Sequence, residues 1–282
     1  MVQELSVPKA FGPAQASAWF TAWSRVAKEP ELTLVLAAGC ALRATGLVLL
    51  ASGIAERQRG GLRTSLKAAS PSDAAIRDLQ RIEFFSALGV HTEAALARPD
   101  PGVESVPLRP IADERAAREL ANISVDRLHL GSTSPLRMAR FVFEELGVNI
   151  VQHSGAADTG FGVLQSYPQD QRLEIAFADR GIGFLASLQK NPEFEGRVED
   201  EGEALQIALG KGATGTSEPR RNMGMGLGLL QDFSDRLGGE LWISSGTATL
   251  RRRSVAGVRT TTVHANEAWR GSWVCLDAPL KA

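Results

Sequence analysis

Three short segments, in a fixed order, constrain the fold of this chain more than any other feature. The first, ELGVNIVQH at residues 145–153, places a carboxylate and an amide one helical turn apart. The second, DRGIG at residues 179–183, is an acid followed by a glycine turn. The third, GMGLG at residues 224–228, is a glycine-rich turn that leads into a helix, where backbone N–H groups and the helix dipole can hold phosphate. Together the three segments predict a nucleotide pocket.

The first segment belongs to a predicted helix. Residues 136–151 are apolar on almost all sides, which indicates burial, yet Glu145, Asn149 and His153 recur at every turn and share one face. Such a polar stripe on a buried helix costs free energy unless something satisfies it. A magnesium–triphosphate would satisfy it, because the amide can ligate the metal and the carboxylate can orient a water or hydroxyl. A half-exposed helix with a solvated stripe gives the same pattern, and the sequence leaves both interpretations open.

The second and third segments are glycine turns next to regular elements. Asp179 follows a predicted strand at residues 173–178, and a carboxylate there could accept a hydrogen bond from an exocyclic amine. The third segment precedes a helical stripe of leucines and phenylalanine at residues 227–237, which puts its glycines at a helix N-terminus. A surface turn and a glycine loop needed only for packing are the alternative interpretations of the two segments.

In this order the segments resemble the motifs of the GHKL ATPases, the gyrase, chaperone, histidine kinase and mismatch-repair type. E-x-x-x-N at residues 145–149 resembles the N box, and the two glycine segments resemble the first and second glycine boxes. A late strand at residues 271–276 resembles the closing strand of the family, so the resemblance covers roughly residues 106–280. It implies a two-layer α/β sandwich of the Bergerat type, with helices on one face of a mixed sheet and ATP between helix and lid.

The resemblance also implies roles for individual residues. Asn149 would coordinate Mg²⁺, Glu145 would be the general base, and Asp179 would bind the adenine amine of ATP. The glycines would make the remaining contacts with the nucleotide. The adenine side would be shaped by Gly181 and Gly183, and the phosphates would be approached by Gly224, Gly226 and Gly228.

Residues 185–223, between the two glycine segments, are polar, partly glycine-rich and long enough to include a mobile lid. Four side chains there, Lys211, Thr214, Arg220 and Arg221, are candidates for contact with the terminal phosphate. A solvated loop whose charges touch nothing would have the same composition.

The first hundred residues predict a small parallel α/β unit, with strands at 32–38 and 62–68 and helices at 47–59 and 73–88. This pattern resembles a STAS domain, the fold of anti-sigma-factor antagonists. The features that match are LVL at residues 34–36, the ATG turn at 44–46, the GG turn at 60–61 and the helix at 82–89. The usual acid–serine pair of that family is Ala44-Thr45 here, so Thr45 is at best a degenerate phosphoacceptor. An unrelated α/β helper domain is the alternative.

A proline-rich polar stretch at residues 98–102 is the best linker, so we expect a STAS-like domain over residues 1–100 and the ATP-binding domain over residues 101–282. Residues 106–111 predict a strand, and residues 112–122 a helix, at the start of the second domain.

Composition limits location and partners. The 282 residues carry a formal net charge of −1, which gives no bulk field to attract nucleic acid or an anionic membrane. The N-terminus lacks a signal-peptide pattern, and two distant cysteines argue against a metal site or disulfides, so a cytoplasmic setting is expected. Residues 32–55 are apolar enough to span a bilayer. However, Arg43 near the centre of this stretch favours a strand, a turn and a helix.

The three segments and the GHKL resemblance together predict a Mg²⁺–ATP-binding regulatory protein. A GHKL-like domain beside a STAS-like domain resembles the serine/threonine protein kinases of the anti-sigma type, so the first hypothesis that the resemblance implies is such a kinase, acting on a STAS-type or sigma-factor-related protein partner. The second is an ATP-dependent conformational switch or dimerisation ATPase without phosphotransfer, which leaves a homodimer open. The third is an interaction module that binds no nucleotide. Histidine kinase activity is disfavoured, because none of the four histidines lies in a long heptad-patterned segment before the ATP domain.

Overall fold

The chain forms a mixed α/β fold that contains both parallel and antiparallel sheets. The computed structural model describes residues 2–69, 74–90, 104–127, 134–167, 170–210, 226–255 and 257–279.

The described residues before position 91 form a small parallel α/β unit. Its elements are β1 (Gln3–Ser6), β2 (Ala10–Phe11), α1 (Ala16–Val26), β3 (Glu31–Leu36), β4 (Ala41–Leu42), α2 (Ala44–Arg59), β5 (Arg63–Ala68), α3 (Ala74–Arg81) and α4 (Phe84–Leu88). Strands β1, β3 and β5 pair in parallel in the order β1-β3-β5, and β2 pairs in parallel with β4. The predicted parallel α/β unit is therefore confirmed.

The described residues from position 104 onward build an antiparallel sheet with helices. Their elements are β6 (Glu104–Ser105), α5 (Glu114–Arg127), α6 (Ser134–His153), β7 (Phe161–Tyr167), β8 (Arg172–Ala178), α7 (Gly183–Leu188), α8 (Glu201–Leu209), α9 (Gly226–Leu237), β9 (Glu240–Val255) and β10 (Val258–Pro279). The sheet order is β6-β7-β8-β10-β9, and every neighbouring pair is antiparallel.

Side chains alternate along each strand, so each strand contributes to both faces of the antiparallel sheet. Both faces are buried. One face packs on α5, α6 and α9, for example through Leu173, Ile175 and Phe177 of β8. The opposite face packs on α1 and α2 of the N-terminal unit, through Ala176, Ala178 and residues of β7 and β10. The N-terminal elements therefore cover the sheet face that the helices of the second unit leave open. The predicted division near residue 100 stays a prediction, since residues 91–103 lie outside the described residues.

Two predicted elements are wrong in detail. Residues 106–111 are not a strand: β6 ends at Ser105, and Pro110 makes only an isolated bridge with Phe161. Two prolines in this stretch lack the N–H that a ladder requires. The helix predicted at 73–88 is divided into α3 and α4 at Glu83, whose φ is +60°. The Ile82 carbonyl there accepts a hydrogen bond from Leu108 N–H (2.7 Å) instead of continuing a helix.

The apolar stretch at residues 32–55 forms β3, a turn, β4 and most of α2, so the predicted strand and helix are confirmed, although β4 was not predicted and α2 begins at Ala44 rather than at residue 47. None of the helices in the described ranges combines the length and hydropathy needed to cross a bilayer.

Candidate functional site

The polar stripe of the first segment lies on the outward face of α6. Glu145 is exposed, Asn149 and His153 are half-buried, and the apolar face with Val142 and Leu146 packs into the core. Among the described residues, the side chains of Glu145 and Asn149 have no hydrogen-bond or ion-pair partner. The stripe therefore lies on a half-exposed helix face, where the Asn149 amide and the Glu145 carboxylate have no partner within the described ranges; this exposure is also what the solvated-stripe interpretation predicts.

The surroundings change the protonation of two stripe residues. Although Glu145 is exposed, its surroundings remove part of the hydration of its carboxyl group, and this desolvation, with a smaller contribution from the negative charge of Glu144, raises the pKa of Glu145. A raised pKa suits a general base, because a carboxylate accepts a proton most effectively when its pKa lies near the pH at which the enzyme works. Burial and the positive charge of Lys190 lower the pKa of His153, which favours the neutral imidazole. Lys190, two residues after the end of α7, was not predicted as a neighbour of this stripe.

Asp179 directly follows β8 and is 2% exposed. Its Oδ1 accepts a hydrogen bond from Gly181 N–H (2.7 Å), its Oδ2 accepts one from the Ser272 hydroxyl, and its N–H donates to the Ser272 carbonyl (2.9 Å). Burial raises the pKa of Asp179, and the bonds from Ser272 and Gly181 oppose this rise because they stabilise the charged form. Ser272 lies on the predicted closing strand, so its position, but not its bond, could be found from the sequence.

The glycine turn after Asp179 packs against the end of α6. The Ile182 N–H donates to the Ser154 carbonyl (2.9 Å), and a Cβ on Gly181 would collide with the Ser154 backbone. Gly183 adopts a φ of +79°, where side chains are strained, and a Cβ there would lie 2.6 Å from Ser245 Oγ. These contacts bring the second segment directly to the end of the helix that carries the first.

Ser245 of β9 ties the stretch after the glycine turn to the sheet. Its hydroxyl oxygen accepts a hydrogen bond from Phe184 N–H (2.8 Å) and its hydroxyl donates to Glu201 (2.9 Å) at the start of α8. Neither Ser245 nor Glu201 was predicted as part of the site. Gly246 leaves room for the Glu201 carboxylate, since a Cβ at position 246 would collide with it, but this contact carries no signal in the local sequence.

The third segment is described only in part. Gly226 and Gly228 lie in the first turn of α9, which confirms that the glycines lead into a helix N-terminus, and α9 packs beside α6. The other predicted phosphate-side residues, Lys211, Thr214, Arg220, Arg221 and Gly224, lie outside the described residues.

Thr45, the degenerate acceptor that the STAS resemblance suggests, is 0% exposed in the first turn of α2. The preceding Ala44 N–H donates to the carboxylate of Glu174 on β8 (3.1 Å). The start of α2 is thus packed against the antiparallel sheet, and in this arrangement no enzyme can reach the Thr45 hydroxyl.

No protein-family model matches this chain, and no curated protein matches it either.

The donor set fits a magnesium nucleotide in three respects. The α6 stripe offers an amide oxygen for a hard cation next to a carboxylate with no partner among the described residues. Asp179 offers a buried carboxylate whose oxygens each keep a lone pair beyond the bonds they accept. Helix α9, which packs beside α6, begins at Gly226, and a helix N-terminus of this kind stabilises an anion through its backbone N–H groups and its dipole.

Proposed function

We propose that this chain is a Mg²⁺–ATP-binding regulatory protein with a GHKL-type ATP-binding sandwich. The observation that carries the proposal is the contact of the Gly181 turn with the end of α6. This contact holds the buried carboxylate of Asp179 close to the helix that presents Asn149 and Glu145. An acid for the adenine amine and an amide for the metal are therefore available at one site.

The proposed reaction is phosphotransfer to a protein hydroxyl. Bound Mg²⁺–ATP would supply the phosphoryl group and neutralise the charge that develops as it moves. Asn149 would hold the metal through its amide oxygen, and Glu145 would take the proton from the acceptor hydroxyl. Asp179 would accept a hydrogen bond from the adenine amine, while Gly181 and Ser272 keep its carboxylate oriented. Positioning and charge stabilisation would supply most of the rate.

The partner in this proposal is a protein, a STAS-type or sigma-factor-related regulator, and the N-terminal unit is a STAS-like docking module. The parallel order β1-β3-β5 with α2 after β3 supports the second part. Because Thr45 is buried, this proposal assigns the phosphoacceptor to the partner rather than to Thr45. A cytoplasmic location belongs to the same proposal and is supported by two cysteines that are both free thiols.

Calorimetric titration with a non-hydrolysable ATP analogue, with and without Mg²⁺, tests the proposal. We expect wild-type protein to bind more tightly with Mg²⁺, and Asn149→Ala to bind equally with and without it. Asn122→Ala is the matched control, since Asn122 is an exposed amide on α5 that bonds to Arg140 (2.9 Å) away from the stripe.

Two outcomes would contradict parts of the proposal. If folded wild-type protein binds no nucleotide, the chain is an interaction module rather than an ATP-binding protein. If Asn149→Ala keeps the full Mg²⁺ dependence, the metal ligand is assigned wrongly. Unfolding curves of each variant show whether a loss of binding comes from a loss of fold.

A conformational switch is the second candidate. It is favoured by the Glu201–Ser245–Phe184 bonds, which join the stretch between the glycine segments to the first glycine turn. Closure of that stretch over ATP would therefore shift Ser245 and strand β9 of the sheet. Incubation with γ-labelled ATP and candidate partners separates the two functions: transfer of label supports the kinase, and hydrolysis without transfer supports the switch.

A further inference from the structure

Asp179 and Arg180 are consecutive, yet their side chains point to opposite faces of the sheet. The alternation of β8 continues past its end, so Asp179 faces α6 and Arg180 faces α2 of the N-terminal unit. Arg180 is 6% exposed, and both its Nε and its Nη2 lie 2.7 Å from Oε2 of Glu56 on α2. One residue thus connects the proposed adenine site to the N-terminal unit.

Aromatic residues enclose this ion pair. The Arg180 guanidinium lies 3.9 Å from the centre of the Trp269 ring, a cation–π distance. Trp269 in turn packs on Phe20 of α1, with ring centres 4.9 Å apart. Arg270 lies 3.9 Å from the other oxygen of Glu56, so the carboxylate of Glu56 faces two guanidinium groups.

The backbone around Arg180 is held on two further sides. Its N–H donates to Thr159 Oγ1 (2.9 Å), and the Thr159 hydroxyl donates to the Ala156 carbonyl (2.7 Å) shortly after α6. On the other side, a Cβ on Gly271 of β10 would lie 2.7 Å from the Arg180 Cα. Because these contacts fix the backbone on two sides of Arg180, a displacement of Arg180 by α2 must also displace the adjacent Asp179.

Stabilisation of the fold does not by itself explain the buried ion pair between Arg180 and Glu56. A buried pair loses hydration, and well-packed apolar residues of similar size are often as stabilising. Here the loss is incompletely offset, because Arg180 Nη1 is buried without a hydrogen-bond partner among the described residues. A costly buried charge directly beside a site carboxylate is better explained by a role in that site.

We propose that Glu56, acting through Arg180, positions Asp179, so that docking of the N-terminal unit and binding of nucleotide favour each other. Arg180 is a positioning residue, since it acts on the nucleotide through Asp179. The statement about nucleotide rests on the proposed function, whereas the link from Glu56 to Asp179 does not. Reciprocity requires that nucleotide binding stabilise the docked α2 by the same factor.

Glu56→Gln tests this proposal, because it removes the charge and keeps the shape. Affinity for the ATP analogue is expected to fall by about 5-fold to 150-fold, the usual range of coupling between sites. Asp158→Asn is the matched control: it removes an exposed ion pair with Arg59 of α2 (3.4 Å) across the same contact and should leave the affinity unchanged. Arg180→Lys keeps the positive charge but not the paired bonds, and serves if Glu56→Gln does not fold.

Hydrogen exchange distinguishes positioning from a merely structural role. Saturating ATP analogue should slow amide exchange in α2 of wild-type protein and of Asp158→Asn, but not of Glu56→Gln. Loss of a purely structural contact would speed exchange with and without nucleotide and leave the response to nucleotide intact. Unchanged affinity, or an unchanged exchange response, in Glu56→Gln overturns the proposal.

A nucleotide-free measurement separates this inference from the proposed function. Urea midpoints are compared for Glu56→Gln, Asp179→Asn and the double variant, with Asp158→Asn in place of Glu56→Gln as control. Non-additive shifts for the first pair and additive shifts for the control pair are expected, since only the first pair shares Arg180. If wild-type protein binds no nucleotide, the proposed function is wrong, and non-additivity still supports the positioning of Asp179. Additive shifts for both pairs overturn it.

Discussion

Replacement of Gly181 by alanine tests the contact on which the proposed nucleotide site depends. A Cβ at this position would lie 2.7 Å from both the carbonyl carbon and the Cβ of Ser154, and still closer to the carbonyl oxygen. Real Cβ atoms do not approach other heavy atoms below about 3 Å, because van der Waals repulsion rises steeply there. The obstruction is backbone rather than a flexible side chain, so the turn and the end of α6 must move apart.

The expected cost follows from two terms. Forcing an extra methyl group into a close contact costs about 1–3 kcal/mol. Separation of the two segments also weakens the bond from Ile182 N–H to the Ser154 carbonyl (2.9 Å), for about 0.5–1.5 kcal/mol more. We therefore expect Gly181→Ala to lower the free energy of unfolding by about 1.5–4.5 kcal/mol, and Tm by about 3–8 °C for a chain of this length.

Thermal unfolding followed by circular dichroism measures this shift, with Gly60→Ala as the matched control. Gly60 has a φ of −80°, and a Cβ there would meet its nearest neighbour at 3.4 Å, which is ordinary contact. Alanine at position 60 should leave Tm unchanged or raise it slightly, by limiting the unfolded chain. If Gly181→Ala unfolds at the wild-type temperature, the turn does not approach α6 as described. The proposed function then loses the contact between the Gly181 turn and α6 on which it rests.

Three further predictions concern ionisable groups. Burial raises the pKa of Asp179 above its value in the unfolded chain. The stability of the wild-type protein should therefore fall relative to that of Asp179→Asn as the pH rises from about 4 through the folded pKa. Parallel curves of Tm against pH for the two proteins would contradict this. Glu145→Gln should slow phosphotransfer by about 10²-fold to 10⁴-fold at unchanged nucleotide affinity, whereas Glu144→Gln, whose carboxylate pairs with arginines instead, should not; equal rates in both variants would exclude Glu145 as the base. Cys40 and Cys275 are buried, and burial raises the pKa of the Cys275 thiol to about 12, so mass spectrometry should find neither alkylated by iodoacetamide in folded protein and both in denaturant. Rapid alkylation of the folded chain would show that the sheet face is accessible.

Strong periodicity made parts of this fold predictable from sequence. The strand predicted at residues 173–178 is β8, and the long apolar helix around residue 145 is α6. Both are buried elements in which apolar side chains follow one period without interruption. The strand predicted at residues 106–111 is wrong because Pro107 and Pro110 lack the N–H groups that a continuous ladder requires.

For the candidate site, the local positions of some residues were predictable from the sequence, whereas their contacts were not, and the predicted chemistry stays a prediction. Asp179 at the end of a strand, and glycines where the backbone approaches another segment, follow from local sequence. The partners Ser272 and Ser245 come from strands about 60 to 90 residues further along the chain, and a common residue type at that separation carries no local pattern. Burial of the sheet on both faces is a tertiary property, so the packing of α2 on β8 could not be inferred.

The start of α2 shows how that packing changes the meaning of a sequence motif. Arg43 pairs with Glu174 and with Asp277 (3.0 Å), and Arg172 pairs with Asp277, so two acids and two bases balance where the helix meets the sheet. The carboxylate of Glu174 also accepts the first N–H of α2, the position at which a helix dipole favours an anion. A phosphate on Thr45 would add about two negative charges against this already balanced cluster, in a space that admits no solvent. The docked N-terminal unit and a phosphorylated Thr45 therefore exclude each other, because the phosphate would need space and hydration that the buried Thr45 hydroxyl does not have.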